Sequence, residues 1–380
     1  MKLLLIFISL FFLTSTGKTV ASDFDSLTSK GIKEIYNIKF SEAETTFRKL
    51  MADYPESPAG RFFLAMIDWW KILIDLDYEG YDDIFYQKLE DVIFQCDQIL
   101  DKDDKNVDAL FFKGGAIGFR GRLRALRESW LKAADDGRTA LPIVQYASKL
   151  DPGNRDVELG FGIYDYYASV IPDRYPLIKP LMIFFPKGNK EKGIGHLMNT
   201  ANYGKYANFE AQYFLMTLYY QYENNFTKAA EYSQELYEKF PDNPIFERWR
   251  GRIAVRMGQT YIADTVFQKV YFKCAQRYAG YYEKSEREAV YYLGVFAKDS
   301  YQLDTAKFYL QRTLELSEKI DKKETSGFLV NAVLYLGMIN DELGNREKAL
   351  EYYRRVLDLR DFASSRKQAE QYIQNPYKRF

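Results

Sequence analysis

A glycine followed twelve residues later by an alanine occurs four times in this chain of 380 residues. The pairs are Gly31/Ala43, Gly251/Ala263, Gly294/Ala306 and Gly337/Ala349. Small residues that recur at this spacing are typical of stacked helical hairpins, in which two antiparallel helices approach closely. The pattern therefore predicts a helical repeat architecture, and it leaves open what the repeats bind.

Aromatic residues and prolines recur at fixed distances from the alanines. Three of the paired alanines are followed four residues later by an aromatic residue, and three prolines lie twelve residues after an alanine. These residues are Phe47, Phe267 and Tyr353, and Pro55, Pro152 and Pro241. We expect the glycine and the alanine to lie where the two helices of a hairpin cross, and the aromatic ring to fill the groove between successive hairpins. Proline should end the second helix, because it cannot continue the backbone hydrogen bonds.

These residues resemble the tetratricopeptide repeat family, whose unit of about 34 residues contains a similar set of small, aromatic and proline positions. The matching units contain Gly31, Ala43, Phe47 and Pro55; Trp249, Gly251, Ala263 and Phe267; and Leu336, Gly337, Ala349 and Tyr353. Residues 106–205 match the family pattern poorly. The resemblance implies an all-α fold, a right-handed α-solenoid of about eight helical hairpins. It also implies a non-enzymatic scaffold that binds a partner protein or an extended peptide on its concave face.

A second resemblance concerns the middle of the chain. An arginine-rich segment, the sequence Gly160–Tyr167, a proline-rich insertion and Lys192-Gly193 follow one another there. This succession is similar to a group of exported bacterial repeat proteins and, distantly, to the eukaryotic Iml2/TTC39-like repeat proteins. Neither group implies a chemical activity.

The first residues are predicted to form a secretory signal. Lys2 precedes an apolar run from Leu3 to Leu13, and Val20-Ala21-Ser22 offers a cleavage site. The run is shorter than the roughly 20 residues that a membrane-spanning helix needs. We expect an exported, periplasmic protein with no stable membrane insertion after the signal is removed. Secretion and an uncleaved N-terminal anchor are the alternatives.

The repeat pattern divides the chain into five parts. They are the signal (1–21), N-terminal hairpins (22–104), degenerate hairpins with a proline-rich apolar insertion at 171–190 (105–205), C-terminal hairpins (206–361), and a capping helix with a tail (362–380). The last two steps between paired alanines are 43 residues long, whereas Ala229 and Ala263 are 34 residues apart. The longer steps predict longer helices or connections near the C-terminus.

Composition argues against several functions. The 53 Lys and Arg residues balance the 53 Asp and Glu residues, so no net field draws the chain to nucleic acid. His196 is the only histidine, which excludes histidine-pair metal motifs and leaves no recognisable catalytic triad. We therefore expect no enzyme activity, no cofactor and no metal site. Cys96 and Cys274 lie several units apart and should be buried free thiols.

Two candidate binding features lie in the middle of the chain. Arg120, Arg124 and Arg127 are spaced to share one face of a helix, and such a face could clamp an anionic group of a partner. A solvated face balanced by nearby acidic residues is the structural alternative. Tyr164 and Tyr167 could line the inner wall with hydroxyl groups for a ligand, or could serve only in packing.

The insertion at 171–190 contains four prolines among apolar residues. Prolines at this density prevent a long helix, and the apolar content makes a free loop unfavourable. It could pack as a flap on the solenoid, or act as a lid or a patch for a partner or membrane. This leads to an alternative function, a small-molecule or glycan-binding protein whose pocket the flap closes.

Overall fold

The computed structural model describes residues 16–174 and 186–379, and this part of the chain contains 17 helices and no strand. The helices are α1 (Thr16–Tyr36), α2 (Phe40–Asp53), α3 (Ala59–Ile74), α4 (Asp82–Leu100), α5 (Val107–Leu126), α6 (Trp130–Leu150), α7 (Glu158–Arg174), α8 (Lys190–Tyr203), α9 (Asn208–Gln221), α10 (Phe226–Lys239), α11 (Pro244–Arg256), α12 (Thr260–Ala275), α13 (Glu283–Asp299), α14 (Leu303–Ile320), α15 (Gly327–Glu342), α16 (Arg346–Asp358) and α17 (Ser365–Gln374). The predicted all-α fold class is confirmed.

Helices α1 to α16 follow one another as eight consecutive pairs, and α17 follows the last of them. Extensive packing within a pair is seen for α1/α2, α5/α6, α9/α10, α11/α12, α13/α14 and α15/α16. We call the first, odd-numbered helix of each hairpin the A helix and the second the B helix. The described residues group into two compact units: the first takes those of 1–70, 80–193 and 203–206, and the second those of 71–79, 194–202 and 207–380. The predicted number of about eight hairpins agrees with this order.

The repeated glycine of the A helix packs against an aromatic ring from the B helix of its own hairpin. A Cβ atom added at Gly31 would lie 2.4 Å from the Phe47 ring, and one at Gly251 would lie 2.7 Å from the Phe267 ring. Each ring also reaches the next hairpin, since Phe47 stacks on Phe63 of α3 at 5.2 Å between ring centres. The predicted role of the ring between hairpins is therefore correct. The closest contact of the glycine, however, is with this ring rather than with the alanine.

The turn from the A helix to the B helix has the same backbone conformation in six hairpins. One residue of each turn has a positive φ of 50° to 77°, and these residues are Ile38, Glu128, Asn224, Gly258, Tyr301 and Gly344. In the Gly258 turn, the following N–H, that of Gln259, donates to the carbonyl of Ala254 at 2.9 Å. This left-handed residue with its wrapped-back hydrogen bond is a Schellman ending of a helix. Tertiary packing holds it in place even where no glycine is present.

The ends of the B helices follow the predicted proline rule. Pro55, Pro152 and Pro241 each lie two residues beyond the end of a B helix, namely α2, α6 and α10. The 43-residue steps contain both longer helices and longer connections. Helix α14 has 18 residues, whereas α10 has 14, and connections of several residues precede α13 and α15.

The C-terminal tail packs on α15 through the buried carboxylate of Asp341, whose side chain is 1% exposed. This carboxylate accepts hydrogen bonds from Arg346 at 2.9 and 3.0 Å, from the Tyr353 hydroxyl at 2.9 Å and from the backbone N–H of Tyr377 at 2.8 Å. Arg346 also donates to the carbonyl of Ile373 at 2.6 Å. One carboxylate thus ties the last hairpin to the tail, and α15 is buried on nearly all sides.

No helix among the described residues is both long enough and apolar enough to span a membrane.

We expect Gly337→Ala to lower the free energy of unfolding by about 1–3 kcal/mol, because the new Cβ would lie 2.5 Å from the Tyr353 ring. Gly118→Ala is the matched control, since Gly118 is also inside an A helix and nothing lies within 4 Å of an added Cβ there. The control should be neutral or more stable by up to about 1 kcal/mol. Urea unfolding of both variants measures the difference, and equal effects would contradict the packing described above.

Candidate partner-binding site

The predicted arginine face of α5 is engaged in ion pairs inside the first unit. Arg120 donates to Asp136 at 2.6 and 3.0 Å and to Glu90 at 2.6 Å. Arg124 donates to the other oxygen of Asp136 at 2.6 Å. The side chain of Asp136 is only 1% exposed, so its negative charge depends on these two arginines.

Arg127 forms a bidentate pair with Asp82 of α4 at 2.6 and 2.9 Å. The three arginines of this face therefore meet three carboxylates, those of Asp136, Glu90 and Asp82. The structure brings the predicted residues together on one helix face, but their charges are balanced within the protein. Of these partners, Asp136 and Asp82 are buried and Glu90 is exposed. Balance by acidic residues is what the structural alternative describes.

The predicted tyrosines lie on α7 and are half-buried. The Tyr164 hydroxyl donates to the carbonyl of Pro186 at 2.6 Å, which ties α7 to the segment before α8. Tyr167 packs edge-on against the buried Tyr166 at 5.3 Å between ring centres. Helix α8 approaches α7 closely here, since a Cβ added at Gly193 of α8 would lie 2.6 Å from the backbone of Tyr166. Partner binding by these tyrosines stays a prediction.

The centre of the predicted insertion, residues 175–185, lies outside the described residues. His196 is half-buried on α8, and its carbonyl accepts a hydrogen bond from Thr200. Both cysteines are free as predicted, Cys96 buried and Cys274 half-buried. Burial raises the pKa of each thiol to about 12, so neither is a reactive thiolate. Among the described residues no group of three acidic, histidine or cysteine side chains could hold a metal ion.

A second arginine cluster, which the sequence reasoning missed, lies on α11 in the second unit. Arg248, Arg252 and Arg256 are spaced by four residues and form what we call the arginine ladder. Arg248 donates to Glu288 of α13 at 2.6 Å, and Arg252 donates to the same carboxylate at 2.8 Å. The guanidinium groups of Arg252 and Arg256 also lie over the rings of Trp249 and Phe226, at 5.1 and 5.0 Å.

The electrostatics of Glu288 follow from these contacts. Burial alone would raise the pKa of the Glu288 carboxyl, but the two arginines outweigh burial and hold it at about 2. Tyr220 of α9 and Tyr292 of α13 flank the ladder, and burial raises the pKa of both hydroxyls. The positive charges of Arg252 and Arg256 oppose that rise.

Neighbouring A helices of the second unit carry further half-buried polar and aromatic side chains. Tyr220 of α9 lies edge-on against Trp249 of α11, 5.1 Å between ring centres. Tyr291 of α13 accepts a hydrogen bond from Asn331 of α15 at 3.0 Å. Lys298 lies over the ring of Tyr335 of α15 at 5.1 Å. We call Tyr220, Arg252, Tyr291 and Tyr335 the A-helix row, with one member on each of α9, α11, α13 and α15.

A signal for the ladder is present in the sequence. Arg248, Arg252 and Arg256 flank Gly251 at helical spacing, as Arg120, Arg124 and Arg127 do on α5. Spacing alone cannot distinguish the two sets, because the carboxylates that balance α5 come from other helices and lie 12 to 45 residues away along the sequence. Only the tertiary structure shows which arginines are paired with carboxylates.

Residues 331–360 match the tetratricopeptide repeat family, and this match includes most of α15 and all of α16. The predicted resemblance to the tetratricopeptide repeat family is therefore confirmed for this last hairpin. A fold of this kind suggests a protein-interaction scaffold. The narrower resemblances to exported bacterial repeat proteins and to Iml2/TTC39-like proteins stay predictions. A comparison with curated proteins finds no match.

Solved structures with a similar fold include the C-terminal part of a TPR repeat-containing protein from Cytophaga hutchinsonii, with 18% identity over 80% of this chain and 98% of that one, and a TM-score of 0.37. PilW, a type IV pilus biogenesis factor, has 15% identity over 64% and 92% of the two chains, with a TM-score of 0.41. The Cut9–Hcn1 hetero-tetramer of the APC/C has 14% identity over 88% and 73%, also with a TM-score of 0.41. Likenesses this distant carry no argument about function.

We expect Arg124→Glu to lower the free energy of unfolding by about 2–4 kcal/mol, because it places a second carboxylate beside the buried Asp136. Arg138→Glu is the control, since the side chains of Arg138 and its partner Asp135 are 68% and 63% exposed. Its effect should stay within about 1 kcal/mol. Both variants are compared by thermal and urea unfolding. An equal loss of stability in the two variants would contradict the role of Arg124 in pairing with the buried Asp136.

The pKa of Glu288 predicts a pH dependence of stability. Its folded-state pKa of about 2 lies below the ordinary value of 4.5, so the ionised form stabilises the folded state. This contribution, about 3 kcal/mol, is present above pH 4.5 and is lost as the pH falls from about 4.5 towards 2. Carboxyl-carbon NMR, with the signal assigned by Glu288→Gln, should show one glutamate titrating near pH 2. Titration near 4.5 would contradict the pairing with both arginines.

Proposed function

We propose that this protein is a non-enzymatic, exported scaffold that binds a partner protein or an extended peptide along the A helices of its second unit. The observation that supports this proposal is the A-helix row, in which four consecutive A helices each contribute one half-buried aromatic or arginine side chain. Tyrosine and arginine are the residue types that most often dominate binding at protein interfaces.

The packing of the row suits recognition. The guanidinium of Arg252 is held by Glu288 and by the Trp249 ring, and Tyr291 is held by its hydrogen bond with Asn331. Side chains that are already ordered lose little conformational entropy when a partner binds. They are half-buried rather than buried, so part of each side chain remains accessible to a partner.

Export is the part of the proposal that depends on the sequence alone, namely on Lys2, the apolar run from Leu3 to Leu13 and the small residues before Ser22. The predicted set Arg120, Arg124, Arg127, Tyr164 and Tyr167 is not the centre of the proposal, because its arginines are balanced by internal carboxylates. The alternative of a glycan or small-molecule pocket beneath the 171–190 insertion has no specific observation among the described residues in its favour.

Site-specific photo-crosslinking in cells that express the full chain tests this proposal. A photoreactive phenylalanine analogue would replace Tyr220 or Tyr335 of the row, and Tyr261 on the B helix α12 would serve as control, since its exposure is 85%. We expect Tyr220 and Tyr335 to crosslink to one common protein, identified by mass spectrometry, and Tyr261 not to crosslink to it. Crosslinks from Tyr261 alone, or none from the row, would overturn the proposed surface.

A further inference from the structure

The arginine ladder carries an excess of positive charge. Arg248 and Arg252 share the carboxylate of Glu288, whose side chain is 2% exposed. Arg256 is exposed and makes no ion pair with any residue that the structure describes; its contact is with the Phe226 ring. Three guanidinium groups therefore face one carboxylate.

The arginine face of α5 shows what a compensated set looks like in the same protein. There, three arginines meet three carboxylates, those of Asp136, Glu90 and Asp82. The two sets therefore differ in net charge, since the ladder has three arginines and a single paired carboxylate, that of Glu288. The three arginines of the α5 face are already paired with carboxylates, whereas the ladder has positive charge that can bind an anion.

The exposure of the ladder's arginines increases along α11, and we call its exposed C-terminal part the open end. The side chain of Arg248 is 16% exposed, that of Arg252 is 29% exposed, and Arg256 at the end of the helix is exposed. At 1.5 Å per residue, each step of four residues is about 6 Å long. The uncompensated charge therefore lies at the accessible end, next to Arg252.

Two hydroxyl groups complete this open end. Tyr220 and Tyr292 are half-buried. Tyr220 packs edge-on against Trp249 at 5.1 Å and Phe226 at 5.6 Å, the two rings over which Arg252 and Arg256 lie. Tyr292 lies one helical turn after Glu288, the carboxylate that Arg252 contacts. Neither hydroxyl has a hydrogen-bond partner among the residues for which the structure gives contacts. A hydroxyl can donate to an oxyanion, so two guanidinium groups and two hydroxyls can converge on the same acceptor.

We propose that the open end of the ladder, formed by Arg252, Arg256, Tyr220 and Tyr292, binds the carboxylates of an acidic segment of the partner protein. This inference rests on the proposed function and names the chemistry of its partner. The step of about 6 Å between arginines is close to the distance of roughly 6.5 Å between alternate side chains of an extended chain. Planar guanidinium groups also match carboxylates in a bidentate geometry.

The test measures binding of the purified full chain to a fluorescent peptide of alternating glutamate and serine, with a glutamine–serine peptide as control. We expect wild type to bind the acidic peptide alone. Arg256→Gln should weaken binding about tenfold or more, because a charge-assisted contact is lost. Arg250→Gln is the matched control on the same helix, where Arg250 lies over Tyr237 at 4.6 Å, and it should bind as wild type does.

Three results of the binding measurements would overturn the inference, and a competition experiment supplies a fourth. They are no binding of the acidic peptide to wild type, equal binding of the two peptides, and equal loss with Arg256→Gln and Arg250→Gln. Competition by inorganic phosphate as strong as that by the peptide would also overturn it, in favour of a general phosphate site. The photo-crosslinking experiment separates this failure from that of the scaffold. If a partner still crosslinks to Tyr335 in the Arg256→Gln variant, the proposed scaffold function stands. Recognition of an acidic segment through Arg256 is then excluded.

Discussion

The contact between a glycine of the A helix and a ring of the B helix is the interaction on which the hairpins depend. An added Cβ would lie 2.4 Å from the ring at Gly31 and 2.5 Å at Gly337, so the absence of a side chain lets the two helices approach. The same rings then reach the next hairpin, as Phe267 does by stacking on Tyr292 of α13 at 4.6 Å. One pair of residues thereby joins the helices of a hairpin and also joins successive hairpins. The Gly294 hairpin, in which Leu310 takes the place of the ring, shows that volume matters more than aromaticity.

Close packing of this kind determines which polar groups become buried, and so where charge must be balanced. Asp341, Asp136 and Glu288 are each almost fully buried, and each pairs with one or two arginines from another helix. For Asp136 and Asp341 the surrounding contacts are complete. Around Glu288 the positive charge exceeds the negative charge, because Arg248 and Arg252 share this carboxylate and Arg256 has no carboxylate of its own. A difference of this kind within one fold distinguishes a structural ion-pair network from a surface that can accept a ligand.

Sequence reasoning recovered the repeats at both ends of the chain because glycine, alanine and proline act locally. Pro55 and Pro241 mark the ends of α2 and α10, because proline cannot continue the backbone hydrogen bonds of a helix, whereas Pro142 and Pro172 lie inside α6 and α7. The candidate site was harder to predict. Arg120 and Arg252 each lie on an A helix with another arginine four residues away, yet only the second belongs to a set with an excess of charge. Their partners lie far away along the sequence, so spacing carried no information about them.

The amino-acid sequence by itself determined the all-α class, the number of hairpins, the ends of the B helices and the free cysteines. These depend on local backbone geometry and on residue size, which are legible in a single stretch of chain. The tertiary structure alone decided which side chain packs against each glycine and which arginines have no paired carboxylate. It also decided which turns contain a non-glycine residue in the left-handed conformation. Those features depend on where residues from separate helices lie in space, and no periodicity along one helix specifies that.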